Sequence, residues 1–409
     1  MTIKSTFIWL AASLFAIYEL SITNGFLGIT QQLQQYDHHF HSLGLWGITP
    51  AVVYAGCQIP AGIIVNKYPV RIVLTLAALV ISYAMNIYGH AQNSLTIMLA
   101  QVLIAAGSAF TFVSIAILIE QWFNKHKFSL LFGATQCVGN ISVVASNMFL
   151  PQFIRHVHGW KNTSLLFAIA GLILTLMLAC VTRSRPIVAV ITQPAAERLK
   201  FHHALKLLRK NKQFWLVTMY AGLLLGTLFN FGSNWLISFQ NNFDHNDLVH
   251  SARVSSALFL GVAIGNPLLG SLSLRLKSRR TFLRNGGLAS LGLLLLLIAG
   301  PKLSSSVAMI SYFGLGLSCS CAILAYSTIM DILPAELQGV GIGICNTLVS
   351  LSGTILGTLI AIVIRNETLI FHNGLIAEKI GLSLFCATIG LALLLSHRIQ
   401  ESFKNEFAH

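Results

Sequence analysis

Glu19 is the residue whose type and position most demand a chemical use. It lies in "AIYELSITNG" (16–25), inside a long apolar run near the amino terminus. A charged side chain at the centre of a bilayer costs about 2.5–3.5 kcal/mol on insertion scales, so a carboxyl there is rarely kept without a role. Desolvation disfavours the ionised form, so Glu19 is expected either to carry a proton or to pair with the amine of a bound solute. The plainer use is a structural carboxyl hydrogen-bonded to a neighbouring helix. Every other acidic residue, Glu378 included, is expected outside the apolar runs or at their ends.

Uncharged polar residues interrupt other apolar runs. Tyr18 and Asn24 accompany Glu19; Gln136, Asn140 and Asn147 share one run; Asn230, Asn234 and Trp235 lie on another; Tyr326 and Asn346 lie on two more. Each buried amide needs partners, from another helix or from a solute. Gln136 and Asn140 are four apart, as are Asn230 and Asn234, and on a helix each pair shares a face. Together these residues are expected to line a polar cavity for substrate or proton. No lysine or arginine lies deep in an apolar run, which favours a neutral, zwitterionic or cationic solute over a polyanion that would need a compensating charge.

The elements that must hold these groups follow from composition. Of 409 residues, 55% are apolar and 9% charged, and mean hydropathy is +0.74. Soluble chains carry about 25% charged residues, so this one is expected to be an all-α polytopic membrane protein. Runs long enough to cross a bilayer fall near 6–29, 43–65, 71–90, 95–119, 128–150, 162–182, 214–240, 252–274, 282–300, 304–330, 339–364 and 376–396. The first has no small-residue cleavage site after a short core, so it is read as a retained helix.

Counting cations between spans places 20 of the 26 lysines and arginines on one side. Only Arg155, Lys161, Arg253, Lys302, Arg365 and Lys379 fall on the other. The positive-inside rule then sets both termini in the cytoplasm, in a bacterial inner membrane, and accounts for the net charge of +14 without nucleic acid. All seven cysteines lie within spans, so no disulfide framework is expected, and no cofactor or metal site is read from the chain. Histidines gather in "YDHHFHS" (36–42), "RHVHGW" (155–160) and "NNFDHNDLVH" (241–250), loops on the opposite side from the basic ones. They are read as solvated loop residues, with a pH response or metal capture as alternatives.

A basic joint, residues 183–213, divides the chain into halves at 1–182 and 214–409. Its "AERLKFHHALKLLRK" has the spacing of an amphipathic helix lying along the inner membrane surface. The halves carry a faint repeat: "PAGIIVNKYPVR" (60–71) aligns with "LLGSLSLRLKSR" (268–279), glycine on glycine, and "GATQC" (133–137) with "GIGIC" (341–345) at the same offset. Duplicated halves are common in transporters.

The turn carrying Gly62, Asn66, Lys67 and Arg71, with "LIAAGSAFTFVS", "QWFNKHKFSLLFGATQCVGN", "LFLGVAIGNPLLGSLSLRL" and "ILPAELQGVGIGICN", resembles the major facilitator superfamily along nearly the whole chain. The resemblance implies twelve helices in two pseudo-symmetric six-helix bundles, a first helix lining the central cavity, and a gating loop at Gly62, Asn66, Lys67 and Arg71 with its repeat at Gly270 and Arg279. Departures are specific. Asn66 replaces the family's loop aspartate, Pro69 a common glycine, Gln101 a common arginine, and Leu274 is the second-half counterpart of Asn66. Span five also lacks the glycine-proline pattern of antiporters.

The expected function is secondary transport of a small polar solute, such as an amino acid or nucleoside, by alternating access with proton-coupled uptake through a monomer. Carriage of a metal chelate, siderophore or drug-like compound is the alternative, and a receptor without flux is the alternative of another class. An enzyme is not expected: no Ser/His/Asp constellation, acidic cluster or phosphate-binding loop stands at one membrane depth.

Overall fold

The computed structural model describes residues 3–36, 49–124, 127–183, 201–237, 239–240, 248–301, 303–371 and 374–403. The expected all-α membrane fold is the one found. Among the described residues, eleven helical stretches are long and apolar enough to cross a membrane. A further helix of 19 residues, Thr49–Lys67, stands where the second span was expected.

In chain order the first half comprises α1 (Ile3–Tyr36), α2 (Thr49–Lys67), α3 (Val70–Gly89), α4 (Ser94–Ser108), α5 (Thr111–Trp122), α6 (Phe128–His156) and α7 (Trp160–Val181). A short α8 (Phe201–Lys210) follows. The second half comprises α9 (Lys212–Asn230), which runs on as a π-helix over Phe231–Trp235, α10 (Leu248–Arg275), α11 (Arg280–Ala299), α12 (Ser305–Cys319), α13 (Ile323–Ile332), α14 (Ala335–Phe371) and α15 (Gly374–Ser396).

Local chemistry sets several boundaries. Asn93 caps α4 by accepting from the Thr96 N–H at 2.9 Å, and Asn211 caps α9 by accepting from the Phe214 N–H at 3.0 Å. Each satisfies an amide that the first helical turn leaves without a partner. Pro69 and Pro334 stand immediately before α3 and α14, where proline fits because no N–H is needed. Gly159, at φ 122°, precedes α7 in backbone space that glycine adopts readily. In α8 the buried residues are Ala204 and Leu208, four apart, while Lys206, Arg209 and Lys210 are exposed, the one-sided pattern expected of the joint.

Spans four and ten are both broken near their middles. Between α4 and α5 the Phe110 N–H turns to Gly107 O at 3.2 Å, and between α12 and α13 a 3₁₀ turn occupies Ser320–Ala322. Such tightened turns inside a helix commonly mark functional positions.

Packing groups the chain into two compact units. One takes most of the first half together with Pro334–Thr347, the start of α14; the other takes most of the second half together with Ser129–Cys137, from the start of α6. Within the first unit α14 runs hard against α2: a Cβ on Gly62 would sit 2.8 Å from the Gly339 carbonyl carbon, so only glycine fits. Asn346 Nδ2 donates to Gln58 Oε1 at 3.1 Å, and Asn66 Nδ2 donates to Glu336 O at 2.8 Å. Within the second unit a Cβ on Gly133 would sit 2.7 Å from the Asn266 carbonyl oxygen, and one on Gly270 2.7 Å from that of Ser129. Further along, α9 and α14 approach through Gly222, Gly226 and Gly353, and Ser352 Oγ donates to Gly222 O at 2.5 Å.

Glu378 stands in the first turns of α15, at the end of the span as expected, and is 7% exposed there.

Candidate functional site

Glu19 lies on α1 and is 2% exposed. Exposed apolar side chains of this helix, Ile3, Phe7, Leu10 and Leu14, form one stripe, as expected of a lipid-facing surface. At 3.6 residues per turn, Glu19 stands about 120° to 180° around the helix from them. The sequence therefore aims the carboxyl into protein.

Its partners are hydroxyls. Thr23, one turn on, places Oγ1 2.9 Å from Glu19 Oε1 and 2.9 Å from Glu19 O. Ser108, the last residue of α4 before the break in span four, lies 3.5 Å from Thr23 Oγ1 and within hydrogen-bonding reach of the carboxyl. Tyr54 of α2 is close enough to sense the charge of the carboxyl. Among the described residues Glu19 Oε2 is buried with no hydrogen-bond partner and no cation pairs with the side chain. An ionised carboxylate desolvated in this way would have to be compensated by a charge from outside the protein. The arrangement is chemically suited to hold a proton or to receive a cationic group.

Around this centre, α1 is fixed by contacts that use up other polar groups. Tyr18 OH donates to Phe167 O at 2.8 Å and its ring packs against Gly171, so its hydroxyl serves the joint between α1 and α7. Ser142 of α6 lies 3.3 Å from Ile17 O, and Ser82 of α3 donates to Ala168 O at 2.7 Å.

The other expected site residues divide by environment. Asn140 is 6% exposed and Gln136 half-buried. Asn346 is 9% exposed and spends an N–H on Gln58. Tyr326 is buried, its ring centroid 5.3 Å from that of Phe132. Asn230 packs its amide on Gly357, while Asn234 is exposed and Trp235 half-exposed within the π-helical turn. The side chains of Asn24 and Asn147 lie outside the described residues, as do the loop histidines of 37–42 and 241–247; His156 and His158 are exposed. Among the described residues no group of three or more His, Cys, Asp or Glu could hold a metal.

Two amides escaped the sequence reading. Gln58 is fully buried and Asn266 is 5% exposed. They lie 208 residues apart, the spacing that separates Gly62 from Gly270. A signal was present, for Gln58 stands two residues before Pro60 in "CQIPAG" and Asn266 directly before Pro267 in "IGNPLLG". The intramembrane hydroxyls Thr23 and Ser108 also went unmarked.

At the loop ends, Arg279 is 4% exposed, forms an ion pair with Asp331 and lies 4.9 Å from the centroid of the Phe403 ring. Glu401 accepts from the Arg279 N–H at 3.0 Å, the Arg280 N–H at 3.1 Å and Ser278 Oγ at 2.9 Å, capping α11 with a carboxylate.

Similar architectures are known. The chain is 15% identical to the E. coli fucose:proton symporter FucP (N162A variant), with 96% of this chain and 98% of that one covered at a TM-score of 0.74. It is 13% identical to a bacterial homologue of the human lysosomal transporter Spinster, solved inward-facing and unoccupied, with 99% of each chain covered at a TM-score of 0.66. At these identities the likeness is one of fold. No curated protein sequence matches. The family profile of the Major Facilitator Superfamily matches residues 9–358, so the chain belongs to that superfamily and is a membrane transporter, not an enzyme.

Proposed function

We propose that this transporter takes up a small polar solute, such as an amino acid or nucleoside, by proton symport across a bacterial inner membrane. The observation that carries the reading is Glu19, a carboxyl 2% exposed on a spanning helix, hydrogen-bonded to a hydroxyl group and, among the described residues, with no cation paired to it. A group of this kind can be neutral while it holds a proton, and can ionise only as solute or water reaches it. The named symporter FucP shares the fold, and that resemblance supports proton coupling without assigning a sugar to this chain.

Both termini are placed in the cytoplasm by the cation count, and the chain acts as a monomer in the bilayer. Gating residues are Gly62, Asn66, Lys67 and Arg71 with Gly270 and Arg279, at helix ends whose close glycine contacts a carrier must break and remake during alternating access. Tyr18, Asn24, Gln136, Asn140, Asn230, Asn234, Trp235, Tyr326 and Asn346 are proposed to line the substrate path. Tyr18 and Asn346 already hold helix partners, so their contribution is to wall shape more than to ligation.

The test begins with thermal stabilisation of the purified protein by amino acids, nucleosides, sugars, organic acids and metal chelates, because a ligand of the folded state raises apparent stability by mass action. Uptake of the hit into vesicles is then followed with an imposed pH gradient. Stabilisation by polyanions alone would contradict the proposed solute class. Stabilisation by a metal chelate or a drug-like compound would favour the alternative cargo.

A further inference from the structure

The carboxyl of Glu19 is buried, yet one side chain bonded to it is not. Thr23 is exposed. Counted around α1, Thr23 stands about 160° to 220° from the lipid-facing stripe of Phe7, Leu10 and Leu14, on the side of the helix turned away from it. Among the described residues it touches the buried carboxyl and is itself exposed.

A threonine hydroxyl has one proton and two lone pairs. Thr23 Oγ1 stands 2.9 Å from Glu19 Oε1 and 2.9 Å from Glu19 O, and its proton can serve only one of them at a time. With the carboxyl ionised, Thr23 donates to Oε1. With the carboxyl protonated on Oε1, the carboxyl donates to Thr23 Oγ1, and the Thr23 proton turns to the backbone carbonyl. Both states are hydrogen-bonded with the heavy atoms unmoved, and passing from one to the other takes one proton added to the carboxyl and a rotation of the threonine hydroxyl about its C–O bond. Ser108 Oγ, 3.5 Å from Thr23 Oγ1, extends the chain to the break in span four.

We propose that Thr23 is the positioning residue and proton port of Glu19, with Ser108 as its outer support. The inference rests on the reading of Glu19 as the coupling group. In the transfer step a water-borne proton binds a lone pair of Thr23 Oγ1 while the proton already on that oxygen passes to Glu19 Oε1. One O–H bond forms and one breaks at threonine, the carboxylate gains one proton, and rotation of the hydroxyl resets the port. The surroundings add no competing charge. From α2 comes the Tyr54 phenol, neutral near pH 7; on α1 the Tyr18 phenol is committed to Phe167 O; α4 offers the Ser108 hydroxyl; and α6 meets this stretch of α1 through Ser142 and Gly139. No lysine, arginine, histidine or second carboxyl interacts with Glu19 among the described residues.

The test needs no substrate. Purified protein in phospholipid films is titrated while the infrared carbonyl stretch of protonated carboxyl groups is followed, and the band lost in Glu19→Gln is assigned to Glu19. Thr23→Val keeps the shape and removes the donor that stabilises the ionised form, so the midpoint of that band is expected to move up by about one pH unit, a tenfold change in proton affinity. The band should also appear more slowly after a pH jump, and Thr23→Ser should restore both. Ser108→Ala, a second variant, should move the midpoint in the same sense by less. A Glu19 band with the wild-type midpoint and rate in Thr23→Val and Ser108→Ala would overturn the port while leaving Glu19 as the coupling group. Absence of any titrating Glu19 band would overturn the reading of Glu19 itself, and the port with it.

Discussion

The two halves place different chemistry at matched positions. Adding the 208 residues that separate Gly62 from Gly270 to position 19 gives Thr227. Glu19 is a buried carboxyl served by the hydroxyls of Thr23 and Ser108. Thr227 is as deeply buried, at 1% exposure, but pairs with Thr388 through two hydroxyls 2.8 Å apart, and neither titrates in water at ordinary pH. The asymmetry reverses at the loop ends. Asn66, a neutral amide, donates to a backbone carbonyl in the first half, whereas the second half holds an ion pair of the buried Arg279 with the solvent-exposed Asp331, and a carboxylate cap from Glu401. At these matched positions the first half holds a titratable carboxyl where the second holds a hydroxyl, and the second holds an ion pair and a carboxylate cap where the first holds a neutral amide.

The largest effect should come from exchanging the interior groups. One coupled proton per solute allows about tenfold accumulation per unit of pH gradient, an equilibrium shift of about 1.4 kcal/mol. Glu19→Gln is expected to abolish that accumulation while part of the solute exchange persists, whereas Thr227→Val should leave accumulation largely intact. Equal losses in the two variants, measured as vesicle uptake, would break the comparison.

Next in size is the ion pair. Asp331→Asn removes the charge paired with the buried Arg279 from an exposed site and is expected to cost about 1.5–3 kcal/mol, against about 0.5–1.5 kcal/mol for Asn66→Ala in the first half, which removes a single hydrogen bond. Apparent thermal unfolding of the two purified variants orders them directly. The matched glycines should behave alike: Gly62→Leu and Gly270→Leu each force a side chain against backbone and are expected to cost about 1–3 kcal/mol. A large difference between them would show that the two helix contacts are not equivalent. The smallest effect expected is that of Glu401→Ala, about 0.5–2 kcal/mol for a lost helix cap, read as a modest fall in melting temperature.

How much of this could be read from sequence depended on contrast and range. Glu19 stood out because a carboxyl in an apolar run is costly, and the spans stood out because a bilayer demands about 20 apolar residues. The partners of Glu19 did not stand out, since threonine and serine are ordinary in membrane helices and bond their own backbone. The burial of Glu378 could not be read either, since its place at the end of a span says nothing of which neighbours cover it. Gln58 and Asn266 required the repeat to be followed from glycines to neighbouring amides. The Glu401 cap joins residues 122 apart, and no local pattern in "RIQESF" announces it.

The central claim, that Glu19 couples proton movement to solute uptake, is tested most directly in vesicles with an acidic exterior and a neutral interior. The wild-type protein is expected to concentrate the stabilising solute above its external level and to acidify the lumen as it does so. Glu19→Gln is expected to bring the solute only to equality, with no lumenal acidification. Undiminished accumulation and proton entry in Glu19→Gln would contradict it.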